Sequence, residues 1–206
     1  MTLESYQSDP CGLSSIPFWK AKCISVPDSI KIVHNADFDQ SMLKHYFDQP
    51  YFRLKHSLHE LPSFELPDHF NTCSASVIEY VEHINSCYED VHISVEELQS
   101  YCKRPVYCSE LWLAIRDERT GMIVATGIGE LDYEIGEGVL EWIQVSNDCR
   151  GLGIGKYMVQ ELLRRMKGRA EFVTVSGQCS NPSNPEALYR TCGFTGDDIW
   201  HILTEK

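Results

Sequence analysis

The chain has 206 residues, of which 43% are hydrophobic and 23% are charged. This balance supplies enough apolar material for a folded core and excludes a disordered, collagen-like or coiled-coil chain. Thirty acidic residues against 18 basic ones give a net charge of −12. Such a charge argues against general nucleic-acid binding, because phosphate neutralisation needs clustered Lys and Arg.

Residues 1–28 contain three prolines and are predicted to form an irregular N-terminal extension. The β-branched run Ile30–Val33 predicts a strand. Asp37 with Gln40 three residues on resembles a capping box, and the apolar spacing after it predicts a helix that continues to Phe47. Residues 48–70 contain Pro50, Pro62 and Pro67 and are predicted to be a long loop.

Two helices are predicted next, over about 76–88 and 94–101, the second opening with the capping box Ser94-x-x-Glu97. The pattern then changes to strands separated by turns. The remaining predicted strands are 111–116, 122–128, 139–145, 172–175 and 199–204, and the remaining predicted helices are 153–167 and 185–191, the latter closed by Gly193.

Nine cysteines are spread over the chain without a C-x-x-C pair, which indicates reduced thiols rather than a disulfide framework or a zinc ribbon. No metal site is expected. The first ten residues have no apolar segment typical of a signal sequence, and no stretch reaches the roughly 18 apolar residues of a membrane span. A cytoplasmic location is therefore expected.

Charge changes abruptly at residue 150. Residues 120–149 contain six acidic residues and no Lys or Arg, whereas residues 150–169 contain six basic residues against one acid, Glu161. A solvated helix face would account for three of the basic residues, Arg164, Arg165 and Lys167. It accounts less well for Arg150 and Lys156, which flank a cluster of glycines.

The segment from Arg150 to Lys156 contains three alternating glycines between a predicted strand and a predicted helix. Glycines allow a ligand to approach the backbone, and the first N–H groups of a helix form an anion site suited to a phosphate or pyrophosphate. A Walker A loop does not fit, because Arg150 stands where its first glycine must be and Tyr157 follows the lysine. The G-x-G-x-x-G fingerprint fails from either glycine start. The pattern that fits is Arg-x-x-Gly-x-Gly, although a glycine-rich turn without a ligand stays open.

This pattern resembles the acetyl-CoA motif of the GNAT superfamily of N-acetyltransferases, which lies between a strand and a helix. The run from Asn184 through Tyr189 to Gly193-Phe194 is similar to that family's second signature, with Asn181 competing with Asn184 for the Asn role. The resemblance covers about residues 108–206 as a CoA-binding core, within a single N-acetyltransferase domain at 29–206. It implies an α/β fold: a mixed, mostly antiparallel sheet of six or seven strands, helices on both faces, and a splayed parallel strand pair that binds CoA.

The resemblance implies acetyl-CoA as cosubstrate and direct transfer of the acetyl group to a primary amine in a ternary complex. An N–H near Val145 would donate to the thioester oxygen. The alternative is a non-catalytic acyl-CoA-binding or partner-binding module on the same fold. The implied cofactor-binding residues are Ile143, Val145, Arg150, Gly151, Leu152, Gly153, Ile154, Gly155, Lys156, Asn184 and Tyr189.

Two residues are candidates for proton transfer. Tyr189 would act as the general acid for the CoA thiolate, or it is a core aromatic residue. Glu141 would act as the base, with Glu137 in reserve, or it is a solvent-facing strand acid. The acidic segment from Glu130 to Glu141 is expected to attract a cationic amine, either a small molecule or a peptide N-terminus or lysine. No nucleic-acid or membrane partner is expected, and a homodimer is compatible with the resemblance.

Overall fold

The computed structural model describes residues 1–88 and 91–206, and within them the strands form one mixed sheet with flanking helices. The predicted count of six or seven strands is wrong, because this part of the chain holds eight in the order β1-β8-β2-β7-β6-β5-β4-β3, with one parallel pair. The predicted splay of that pair stays a prediction. The strands are β1 (Ile30–His34), β2 (Tyr46–His56), β3 (Phe70–Cys73), β4 (Tyr107–Asp117), β5 (Ile123–Asp132), β6 (Glu137–Val145), β7 (Phe172–Gln178) and β8 (Thr195–Glu205).

A side chain caps the first N–H groups of four α-helices in the described residues, those that begin at Leu3, Val77, Val95 and Pro185. Both helices predicted between residues 76 and 101 are confirmed, and each begins with a reciprocal Ser–Glu capping box, at Ser76 and Ser94. None of the helices in the described residues has the length and apolar character needed to cross a membrane. The helices are α1 (Leu3–Ser8), α2 (Phe18–Cys23), α3 (Val77–Cys87), α4 (Val95–Tyr101), α5 (Ile154–Met166) and α6 (Pro185–Thr191), with 3₁₀ turns at Gln40–Lys44 and Asn147–Cys149.

The chain divides into two compact units. The first consists of residues 1–57 and 172–206, and the second of residues 58–171. In the first unit, β8 pairs with β1 and β2, and β2 pairs with β7, all antiparallel. In the second unit, β3, β4, β5 and β6 pair antiparallel in sequence order.

Two predictions for the region around β2 are wrong. The expected helix after Asp37 is a five-residue 3₁₀ turn, with Asp39 capping Ser41, and the expected loop from residue 48 begins with most of an eleven-residue strand. Pro50 is tolerated because its carbonyl accepts from the N–H of Cys179, just past the end of β7. The backbone edge of Pro50 that lacks an N–H therefore faces the end of the β2–β7 pairing and not β8, so no hydrogen bond to β8 is lost.

The N-terminal extension contains two short helices, so its prediction as irregular is wrong. Arg53 on β2 is almost completely buried and holds this extension in place. Its guanidinium donates to the Pro10 and Ser15 carbonyls and to the Tyr6 hydroxyl, at 3.3, 3.4 and 2.9 Å. It also donates to two β7 hydroxyls, those of Ser176 and Thr174, at 3.0 and 3.3 Å.

The second unit has helices on both faces of its strands. Thr126 on β5 contacts His83 of α3, whereas a side chain on the next residue, Gly127, would collide with Met158 of α5. Since neighbouring strand residues point to opposite faces, α3 and α5 pack on opposite sides of β5. The predicted apolar stripe of α5 is confirmed, because the side chains of Met158, Leu162, Leu163 and Met166 are completely buried.

Candidate functional site

The glycine loop, residues 150–155, turns the chain from β6 into α5. Gly151 and Gly153 have φ angles of 78° and 86°, a left-handed conformation that favours glycine. Gly153 is the N-cap of α5 and offers no side chain to cap it. The first helical hydrogen bond runs from Tyr157 N–H to the Gly153 carbonyl, at 3.0 Å, so the N–H groups of residues 154–156 precede the helical ladder. With Lys156 in the same turn, this geometry is the one that the predicted anion site requires.

Arg150 connects the start of this loop to the end of β6. Its Nε donates to the Val145 carbonyl at 3.1 Å. The N–H of Ser146 donates to the Val124 carbonyl at 2.8 Å, so in the antiparallel alternation the neighbouring residue, Val145, directs its N–H and carbonyl away from β5. The Val145 N–H therefore lies at the edge of β6 that β5 does not use, which is what an oxyanion donor at this position requires.

A β-bulge interrupts β6 just before this point. Thr126 pairs with Gln144 and Ile128 with Glu141, so Trp142 and Ile143 together oppose a single residue of β5. Trp142 has a φ of 44°, which is unusual for a bulky side chain, and its Nε1 donates to the Tyr101 hydroxyl at 3.2 Å. The bulge was not predicted, and Gly127 opposite it was the available sequence signal.

A buried histidine supports the same end of β6, and sequence reasoning missed it. The ring nitrogens of His83 lie 2.9 Å from Thr126 Oγ1 and 3.0 Å from Ser146 Oγ. Burial lowers the pKa of His83 from its ordinary value of 6.5 to about 4. The imidazole is therefore neutral at pH 7, and it fixes the first residue after the predicted oxyanion donor.

The acidic segment from Glu130 to Glu141 is largely buried. The side chains of Glu130, Asp132 and Glu137 are buried, and Arg104 donates to Glu130 at 2.6 Å. The charge of Glu130 is therefore neutralised by a basic residue outside the segment, which was not predicted. Glu141 is half-buried and pairs with Ile128, so it lies on the α3 face of the strands.

Two basic residues of α5 are held by an acid on the same helix. Arg164, which is exposed, and Arg165, which is half-buried, both pair with Glu161, each at 2.7 Å. Arg150 and Lys156 lie at the glycine loop itself. Ile143, Val145 and residues 150–156 are thus brought together in the second unit.

The other predicted site residues, Asn184 and Tyr189, lie in the first unit. Asn184 is the N-cap of α6, with its side-chain oxygen 3.4 Å from the N–H of Ala187, while Asn181 accepts from the Ser183 N–H at 2.9 Å. The Tyr189 ring is buried against Phe52 and Phe194. This packing explains the position of the ring and leaves the role of the hydroxyl as a prediction.

Across residues 1–88 and 91–206, no cluster of three or more His, Cys, Asp or Glu side chains is arranged to hold a metal ion. The expected absence of a metal stays an expectation.

Known proteins similar to this chain include a family model and several solved structures. Residues 108–196 match the family model of the acetyltransferase (GNAT) domain, and no curated protein matches. Solved structures similar to this chain include a GCN5-related N-acetyltransferase from Sphaerobacter thermophilus (TM-score 0.68, 19% identity, 86% of this chain and 61% of that one). Also similar is a protein from Drosophila (TM-score 0.61, 15% identity, 94% of this chain and 67% of that one). A further similar structure is a GNAT-family acetyltransferase from Colwellia psychrerythraea (TM-score 0.57, 16% identity, 85% of this chain and 64% of that one).

At these identities the structural likeness shows the fold, which is the GNAT fold. The family match places a likeness to the GNAT acetyltransferase domain on residues 108–196, within the region that the resemblance covered. The chain spans 61% of the Sphaerobacter protein and 64% of the Colwellia protein.

Proposed function

We propose that this chain is an acetyl-CoA-dependent N-acetyltransferase that moves an acetyl group to a primary amine by direct transfer in a ternary complex. The observation that carries the proposal is the glycine loop, with its left-handed glycines and its basic residues at the start of α5. A pyrophosphate is the part of acetyl-CoA that suits this loop, because N–H groups and the helix dipole favour a compact anion. Acetyl transfer is the activity for which the family that residues 108–196 match is named.

The Val145 N–H would stabilise the charge that develops on the thioester oxygen. Its direction away from β5 and the support of its neighbour by His83 favour this role. A preorganised donor of this kind contributes about 3–4 kcal/mol to transition-state stabilisation. The pairing of Val145 with Ala125 and the hydrogen bond from Ser146 N–H to the Val124 carbonyl hold the strand that carries this N–H.

Two proton movements complete the reaction. The attacking amine must lose a proton, for which we propose Glu141, and the CoA thiolate must gain one, for which we propose Tyr189. Both roles rest on the resemblance and on residue chemistry. The acceptor would be a small-molecule amine or a peptide N-terminus or lysine.

The competing proposal is a module that binds acyl-CoA without transferring the acyl group. Thiol release from acetyl-CoA, measured across a panel of small amines and peptides, separates the two. Amine-dependent release supports the transferase. Binding of acetyl-CoA in calorimetry without release by any acceptor supports the module.

The anion site itself is tested by Lys156→Ala, with the exposed lysine Lys103→Ala as a control of equal charge change. A charge-assisted hydrogen bond contributes about 1.5–3 kcal/mol, so the Kd for acetyl-CoA should rise by roughly one to two orders of magnitude. The control should bind like the unmodified protein. Equal affinity in both variants would contradict the placement of the pyrophosphate at this loop.

A further inference from the structure

One segment of the second unit contacts both ends of α5, and we call residues 58–69 the strap. At the C-terminal end of α5, the Lys167 ammonium donates to the His59 carbonyl at 3.4 Å. At the N-terminal end, Phe64 contacts the glycine loop. The strap therefore contacts the C-cap of α5 through His59 and the proposed anion site through Phe64.

The contact at the glycine loop is close. Phe64 Cζ and Cε1 lie 3.0 and 3.1 Å from the position that a Cβ on Gly153 would occupy. The Lys156 ammonium lies 5.1 Å from the centroid of the same ring, within the range of a cation–π interaction. The phenyl ring thus fills the space beside the N-cap glycine and engages the cation that a pyrophosphate needs.

The strap is negatively charged, which favours its contact with the basic residues of α5. It contains Glu60, Glu65 and Asp68 and no Lys or Arg, and it lies on the basic segment that includes Lys156 and Lys167. An acidic strap on a basic helix is electrostatically favourable. The same negative charge next to the glycine loop opposes the approach of the anionic phosphates of CoA.

We propose that the strap competes with the CoA pyrophosphate for the glycine loop, with Phe64 as the residue that occupies it, and thereby sets the affinity for acetyl-CoA. The inference rests on the proposed function, because it takes acetyl-CoA as the ligand of this loop. Binding then includes two exchanges: Lys156 leaves the phenyl ring for a phosphate, and the acidic strap moves off Gly153. The free protein is held in a form with reduced affinity for its cosubstrate.

The first test is the affinity of Phe64→Ala for acetyl-CoA in calorimetry. Phe64 is 37% exposed, so its removal leaves the core intact, and the melting temperature checks this. Loss of an exposed cation–π contact should tighten binding roughly two- to fivefold. Phe47→Ala is the matched control, because Phe47 is also exposed and its ring lies 5.5 Å from the Lys206 ammonium. Unchanged or weaker binding by Phe64→Ala would overturn the proposal, weaker binding because the ring would then be a CoA contact.

Charge is tested separately with Glu65→Gln. The variant should bind acetyl-CoA more tightly than the unmodified protein at low salt, and the difference should shrink as salt screens the carboxylate. An affinity that does not depend on this substitution at any salt concentration would refute the electrostatic part of the competition.

Hydrogen exchange on the unmodified protein supplies a test without any substitution. If acetyl-CoA displaces the strap, amide exchange over residues 58–69 should become faster when acetyl-CoA is added. Slower exchange would mean that the strap closes over the ligand, and it would overturn the proposal. Failure of the unmodified protein to bind acetyl-CoA at all is a different result, because it would refute the proposed function.

Discussion

The buried histidine of α3 leads to a specific pH dependence of stability. His83 has its pKa lowered from 6.5 to about 4 by burial. Protons therefore bind the unfolded chain before the folded one as the pH falls. The contribution of neutral His83 is fully present above about pH 6.5, the unfolded value, and is lost progressively as the pH falls toward 4. Between pH 7 and pH 5 the free energy of unfolding should fall by about 2 kcal/mol through this group alone.

Urea denaturation at pH 7, 6 and 5, at constant ionic strength, measures this loss. His83→Gln keeps a donor and an acceptor near Thr126 and Ser146 but cannot titrate, so its stability should fall by about 2 kcal/mol less than that of the unmodified protein over this range. Other acidic groups contribute equally to both proteins and cancel in the comparison. His59→Gln removes an exposed imidazole and is the control. Parallel pH dependence in the unmodified protein and His83→Gln would refute the reasoning.

Two further outcomes follow from the site and from the N-terminal extension. If Tyr189 is the general acid, Tyr189→Phe should lower kcat by roughly 10²–10⁴-fold with little change in acetyl-CoA affinity. If Glu141 is the base, Glu141→Gln should lower the rate most at neutral pH, where the amine is protonated, and least at high pH. Profiles of kcat/KM against pH separate these roles, and an unaltered profile for Tyr189→Phe would make its hydroxyl structural. Arg53→Met leaves the buried acceptors of this guanidinium without their donor, and each unsatisfied group costs about 1–3 kcal/mol, so the variant should be destabilised by several kcal/mol in urea denaturation. Tyr6→Phe should cost about 1 kcal/mol. Equal, small effects of both would show that the buried guanidinium does not hold the extension.

The parts of the site that sequence predicted are those defined by neighbouring residues. The glycine loop, the start of α5 and the Ser94–Glu97 capping box each depend on a few consecutive positions, so a short sequence pattern is enough to predict them. The pairing of Arg164 and Arg165 with Glu161 was not predicted, although it is equally local, because side chains three or four positions apart meet on a helix.

The parts that sequence could not predict depend on partners far along the chain. His83 is buried because α3 packs on β5, and nothing near residue 83 indicates Thr126 or Ser146 as its neighbours. Pro50 argued against a strand, yet it is tolerated because its donor-free side faces the end of β7. Arg104 neutralises Glu130 across 26 positions, which no count of charges within a segment reveals.

The pairing of strands in the first unit also constrains how the chain acquires its structure during synthesis. In the strand pairings of the described residues, β1 joins β8, and β2 joins β7 and β8. Both partners are translated after residue 171, when all of the second unit has already been made. During synthesis, the edges of β1 and β2 therefore have no strand to pair with until more than a hundred further residues have been translated. The long sequence separation predicts slow completion of this unit and makes its early strands the segment of the nascent chain most exposed to aggregation.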